Sequence, residues 1–85
     1  MFNGEETIED LKNLLGYMGI EILFAIDKGA KTFETIKLFS GLPMECVRGR
    51  IPVLLDLQLI KKIKQEHFLT EKGNNFKKEL ERNTL

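Results

Sequence analysis

Residues 32–60, TFETIKLFSGLPMECVRGRIPVLLDLQLI, carry the reading that decides the fold. Thr32 is a residue type that caps helix starts, and Phe33, Ile36 and Phe39 follow at spacings that share one helical face. Ser40-Gly41-Leu42 interrupts the pattern, and Pro43 has the backbone angle favoured at the first position of a new helix. Two helices are therefore expected to meet at a tight turn. On the second, Val47, Ile51, Leu54 and Gln58 lie on one side. A step of 100° per residue places Glu45, Gly49 and Asp56 opposite them, with Arg48 flanking.

Working outward from this pair, the period changes at Leu59. Ile60 to Lys64 and His67-Phe68-Leu69 read as two short strands joined around Gln65-Glu66. Thr70 then caps a last helix with Glu71 in its first turn, Phe76 and Leu80 as apolar contacts, and Lys77, Lys78 and Arg82 towards its negative end. Upstream, Ile8, Leu11, Leu15, Met18, Ile22 and Ala25 recur at steps of three and four, with Thr7 as the N-cap and Gly29 as the stop. Gly16 and Gly19 each cost about 1 kcal/mol relative to alanine within a helix, so two helical pieces are expected there. Leu14, Ile20, Leu23, Phe24 and Ile26 add apolar surface on other sides of this segment, which points to a subunit contact.

Pro52 lies inside the helix that begins at Pro43, where it removes one hydrogen bond and crowds the carbonyl of Arg48 at a cost of about 3 kcal/mol. Gly49 is placed to relieve that crowding. The expectation is a helix bent or broken between Gly49 and Pro52.

The order helix, helix, tight turn, helix, basic hairpin, helix, with the run Thr32 to Leu42 followed by Val47, Ile51, Leu54 and Leu59-Ile60, resembles winged helix-turn-helix regulators of the MarR, ArsR and PadR kinds. Phe68-Leu69-Thr70-Glu71-Lys72-Gly73 looks like the return strand of a wing leading into the final helix, and the short wing resembles those of small archaeal, viral or plasmid members. The resemblance covers roughly residues 20–80. It implies a mainly α fold with a small β-hairpin in one domain over residues 1–85. Within it, residues 1–19 form an N-terminal helical extension, 20–42 the first helices of the core, 43–58 a recognition helix, 59–70 the wing and 71–82 the C-terminal helix.

The function implied is sequence-specific binding of double-stranded DNA by a homodimeric regulator, because the major groove, about 12 Å wide, admits one helix. Mapped onto this chain, Met44, Glu45 and Arg48 stand where bases are read, with Glu45 able to accept from cytosine and Arg48 able to donate to guanine. Lys31, Thr32, Arg50, Lys61, Lys62 and Lys64 are the candidates for phosphate contacts, and Ile8, Leu11, Leu15, Met18, Phe76 and Leu80 for the dimer interface. Gly49 departs from the pattern by standing where relatives often carry a long polar reader. Arg48 also has a bland alternative, an ion pair with Glu45 one turn earlier on a solvated face. A winged-helix module that binds protein rather than DNA is the competing expectation, favoured by Gly49, Pro52 and the charge balance.

Bulk properties set the limits. The chain has 85 residues, 42% of them apolar and 31% charged, with two prolines, one cysteine and a formal net charge of +0. That size supports one hydrophobic core and that composition a globular chain. The zero mean conceals an uneven distribution: Glu5, Glu6, Glu9 and Asp10 lie in residues 1–10 without a base, whereas residues 48–64 carry Arg48, Arg50, Lys61, Lys62 and Lys64 against Asp56 alone. Cys46 and His67 cannot build a metal cage or an intrachain disulfide between them, although Cys46 could link two subunits. No nucleophile with a base and an orienting group is legible, nor a phosphate loop, so neither catalysis, a cofactor nor a small-molecule substrate is expected. The apolar runs are too short for a membrane span and the N-terminus lacks a basic leader, so a cytoplasmic protein without a membrane partner is expected.

Overall fold

The computed structural model describes residues 7–83 and contains α1 (Ile8–Asp27), α2 (Phe33–Ser40), α3 (Met44–Asp56), β1 (Ile60–Ile63), β2 (Glu66–Leu69) and α4 (Glu71–Asn83). Glu5 and Glu6 of the acidic cluster lie outside the described residues. The fold is mainly helical, with one two-stranded antiparallel hairpin.

Helix starts follow local chemistry. The Thr7 hydroxyl accepts from the Asp10 N–H at 3.0 Å while the Asp10 carboxylate accepts from the Thr7 N–H at 3.3 Å. This reciprocal cap satisfies two amides that the first turn leaves open. Thr32 and Thr35 repeat the device at α2. α3 begins one residue later than the position of Pro43 implied, with Pro43 itself as the N-cap. Gly16 breaks α1 as expected: its φ of +67° and ψ of −177° are not helical, so α1 is two helical pieces joined at a kink. An L side chain rarely adopts that backbone conformation, which explains the glycine.

Leu11, Leu15, Ile22, Leu23, Ile36, Val47, Ile51, Leu54, Leu59, Ile60 and Phe76 form the centre of one core, each at most 2% exposed. α1 is the hub, with α2, α3, α4 and β2 all packed on it. Four of the residues expected at a subunit interface, Leu11, Leu15, Phe76 and Leu80, are therefore buried by their own chain. Ile8 and Met18 are half-buried, and Ile8 packs against the same core. The apolar surplus of α1 is absorbed because its second piece is covered on several sides at once. Leu14 and Tyr17 remain outside, at 56% and 72% exposure.

α3 corrects the expectation of a break, since it runs from Met44 to Asp56 as one helix with Pro52 inside. Pro52 points outward, and the buried anchors Val47, Ile51 and Leu54 bracket it. Each buried aliphatic side chain stabilises by roughly 1.5–3 kcal/mol, so the three together outweigh the roughly 3 kcal/mol that a helical proline costs. The helix ends before Gln58, which is exposed and turns the chain at a φ of +62° rather than joining the inner face.

In the hairpin, Ile60 pairs with Leu69, Lys61 with Phe68, Lys62 with His67 and Ile63 with Glu66. The connecting turn is Lys64-Gln65, one residue earlier than expected, and Lys64 takes the positive φ of 58° that tight hairpin turns require. Thr70 locks the base: its N–H donates to the Leu59 carbonyl at 3.1 Å, its hydroxyl donates to the Gln58 carbonyl at 2.6 Å and accepts from the Gly73 N–H at 3.0 Å. Lys72 adds a bond from its ammonium to the Leu57 carbonyl at 2.8 Å. Gly73 lies so close to Leu59 that a Cβ there would collide with the Leu59 carbonyl oxygen.

Candidate nucleic-acid interface

α3 divides its side chains cleanly. Val47, Ile51 and Leu54 face the core, while Glu45, Arg48, Gly49, Pro52 and Asp56 are exposed. Of the three expected base readers, Glu45 and Arg48 therefore stand outward one turn apart. Met44 is half-buried and packs against the core, so its side chain contributes less surface to that face. Arg50 is half-buried and, two residues beyond Arg48, is rotated about 200° from it around the helix. It does not share the outer face with Arg48.

No ion pair joins Glu45 to Arg48 among the described residues. The ion pairs seen there are Lys12 with Glu9 at 3.4 Å, Lys77 with Asp27 at 3.3 Å and with Glu81 at 4.0 Å, and Arg82 with Glu79 at 3.4 Å. All of them belong to α1 and α4. None engages Lys31, Arg48, Arg50, Lys61, Lys62 or Lys64, although exposed Glu34, Glu45, Asp56 and Glu66 belong to the same elements.

The hairpin sorts its lysines by face. Cross-strand partners share a face and successive residues alternate, so Lys61, Ile63, Glu66 and Phe68 lie on one side and Ile60, Lys62, His67 and Leu69 on the other. Lys31, at the start of α2, joins the first group: its ammonium lies 5.4 Å from the Phe68 ring centroid. The structure thus places Lys31 and Lys61 on the Phe68 face of the hairpin and Lys62 on the opposite one. Lys64 sits in the turn.

Thr32 serves its own helix. Its hydroxyl oxygen accepts from the Thr35 N–H at 3.2 Å, and the Thr35 hydroxyl accepts from the N–H groups of Thr32 and Lys31, both at 3.0 Å. Exposed Glu34 adds negative charge to the same first turn. The Thr32 hydroxyl and the amides of Lys31, Thr32 and Thr35 are thus engaged within the chain, whereas the Lys31 side chain makes no ion pair among the described residues.

His67 is the residue sequence reasoning undervalued. It is 1% exposed, and both its N–H, at 2.9 Å, and its Nδ1, at 2.7 Å, bond to the Lys31 carbonyl. A carbonyl only accepts, so Nδ1 carries the proton. The ring packs edge-on to Phe33 with centroids 5.4 Å apart, and buried Nε2 has no hydrogen-bond partner. His67 thus pins the start of α2 to β2. Its isolation in the sequence gave no signal for this, because Lys31 lies 36 residues away.

Two other features complete the surface. An open hollow of about 400 Å³ at the hairpin base is lined by Leu55, Gln58, Ile60, Lys61, Thr70 and Lys72 among others. Its Thr70 hydroxyl and Lys72 ammonium already bond to backbone carbonyls. Among the described residues no three His, Cys, Asp or Glu side chains converge on a point, and no helix is long and apolar enough to cross a membrane. No protein-family model matches the chain, and no curated protein matches it.

Proposed function

We propose that the chain is a winged helix-turn-helix protein that binds double-stranded DNA in a sequence-specific way as a homodimeric regulator, with α3 in the major groove and the hairpin as its wing. The observation that carries this reading is the exposed outer face of α3, on which Arg48 stands beside a lysine-bearing hairpin. Among the described residues Arg48 on the outer face of α3 and the lysines of the hairpin and of the α2 start make no ion pair, and the hairpin packs against α3. Unpaired cations beside an exposed helix face suit a polyanion whose phosphates position the protein while base edges select the site. Glu45 and Arg48 are the base readers in this reading, and Lys31, Lys61 and Lys64 the phosphate contacts, with Lys62 on the other face of the hairpin. A dimer would draw on Leu14 and Tyr17, which α1 leaves exposed.

Selection from a random duplex pool tests the reading. The expected result is an enriched site with two half-sites about 34–36 Å apart, one helical turn centre to centre. Recovery of no preferred sequence would reject specific recognition.

A second reading, a protein-interaction module, is favoured by Leu38 and Phe39 at the end of α2, which are 74% and 53% exposed. An apolar contact there would respond little to salt, whereas phosphate contacts weaken steeply as salt rises.

A further inference from the structure

Lys31 is held at both its backbone groups. Its N–H donates to the Thr35 hydroxyl at 3.0 Å, and its carbonyl accepts from the His67 N–H and Nδ1–H at 2.9 and 2.7 Å. With the backbone fixed at both ends, the side chain runs over β2, and its ammonium lies 5.4 Å from the centroid of the half-buried Phe68 ring. That distance is within the range in which a ring face attracts a cation.

Phe68 stands directly opposite Lys61 in the ladder. Opposed residues have Cβ atoms about 5 Å apart on one face, so the two lysines share an aromatic floor. The ring restrains the Lys31 ammonium, and the ladder sets Lys61 on the same face. Glu66 is on the same face, two residues towards the tip, yet makes no ion pair with either lysine among the described residues. Two lysines that flank one ring, neither in an ion pair among the described residues, match an anion whose oxygens both side chains can reach.

We propose that Lys31 and Lys61, aligned by Phe68, clamp a single backbone phosphate of duplex DNA, with Phe68 as the positioning residue. This rests on the DNA-binding reading above and assigns one site within it. The clamp joins the start of α2 to the hairpin through one ligand, and His67 holds the two elements in the register that makes this possible.

The test is the salt dependence of binding to a labelled mixed-sequence duplex, measured for the parent protein, Lys31→Met, Lys61→Met and the double variant. Each phosphate neutralised contributes about 0.9 to the slope of log affinity against log salt. One shared phosphate predicts that the double variant loses about 0.9 in total, and two separate phosphates about 1.8. Phe68→Leu should weaken binding at low salt by about two- to fivefold, the value of an exposed cation–ring contact, and Phe68→Tyr should restore it. Unfolding midpoints measured on the same samples separate this from loss of the hairpin. Additive slopes, or a Phe68→Leu variant that binds like the parent, would overturn the clamp while leaving DNA binding intact. A parent protein that binds no duplex would end both.

Discussion

Gly49 and Gly73 both lie inside helices, yet alanine should move stability in opposite directions at the two positions. A Cβ on Gly49 would meet nothing within 4 Å, so Gly49→Ala simply gains helix propensity and restricts the unfolded chain. A gain of about 0.5–1 kcal/mol follows. At Gly73 the added carbon would fall on the Leu59 carbonyl oxygen, with the Leu59 Cα at 3.4 Å, and a main-chain obstacle cannot rotate aside. Overpacking of this kind costs about 1–3 kcal/mol. Relief by moving α4 would stretch the Thr70 N–H to Leu59 bond, now 3.1 Å, or the Gly73 N–H to Thr70 bond, now 3.0 Å. Each such bond contributes about 1 kcal/mol. Set against the propensity gain, Gly73→Ala should lose about 1–3 kcal/mol net. In a domain of this size 1 kcal/mol moves Tm by roughly 4–8 °C, so the two variants should melt on opposite sides of the parent. Urea denaturation with unchanged m-values would establish that the native state is responsible. A Gly73→Ala protein as stable as the parent would refute the close approach of α4 to Leu59.

Three further outcomes follow from the interface. Arg48→Ala should weaken binding to the selected site by about 1–3 kcal/mol more than binding to random duplex, and equal losses on both in a competition assay would move Arg48 to a phosphate. Lys62→Ala should leave the salt slope closer to the parent than Lys61→Ala does, because the two side chains lie on opposite faces of the hairpin; equal reductions would place both faces at the duplex. Thr32→Ala removes the N-cap of α2 and should cost about 1 kcal/mol of stability by chemical denaturation, and a neutral result would show that Thr35 caps the helix alone.

The parts of this fold that were legible in the sequence are those governed by local chemistry. Thr7 and Thr32 start helices because their hydroxyls meet amides three residues on, and Gly16 breaks α1 through its own φ. The alternating pattern around Ile60 and Phe68 marks the strands. What was not legible depends on contacts distant in sequence. Pro52 marks a helix break only until the burial of Val47, Ile51 and Leu54 is counted, and that burial requires α1. Leu11, Leu15, Phe76 and Leu80 have the spacing of a sticky face whether the partner is another subunit or the chain's own core. Arg48 and Lys61 stand out in the sequence as candidates, whereas the placement of Phe68 and His67 beside Lys31 required the ladder register.

The DNA-binding proposal sets Arg48 and the lysines of the hairpin and of the α2 start against a duplex. Its most direct test is the affinity of the unmodified protein for duplex DNA across a series of salt concentrations. Four to six phosphate contacts predict a straight log–log plot with a slope of about −4 to −5. A flat plot, or no binding at low ionic strength, would contradict it.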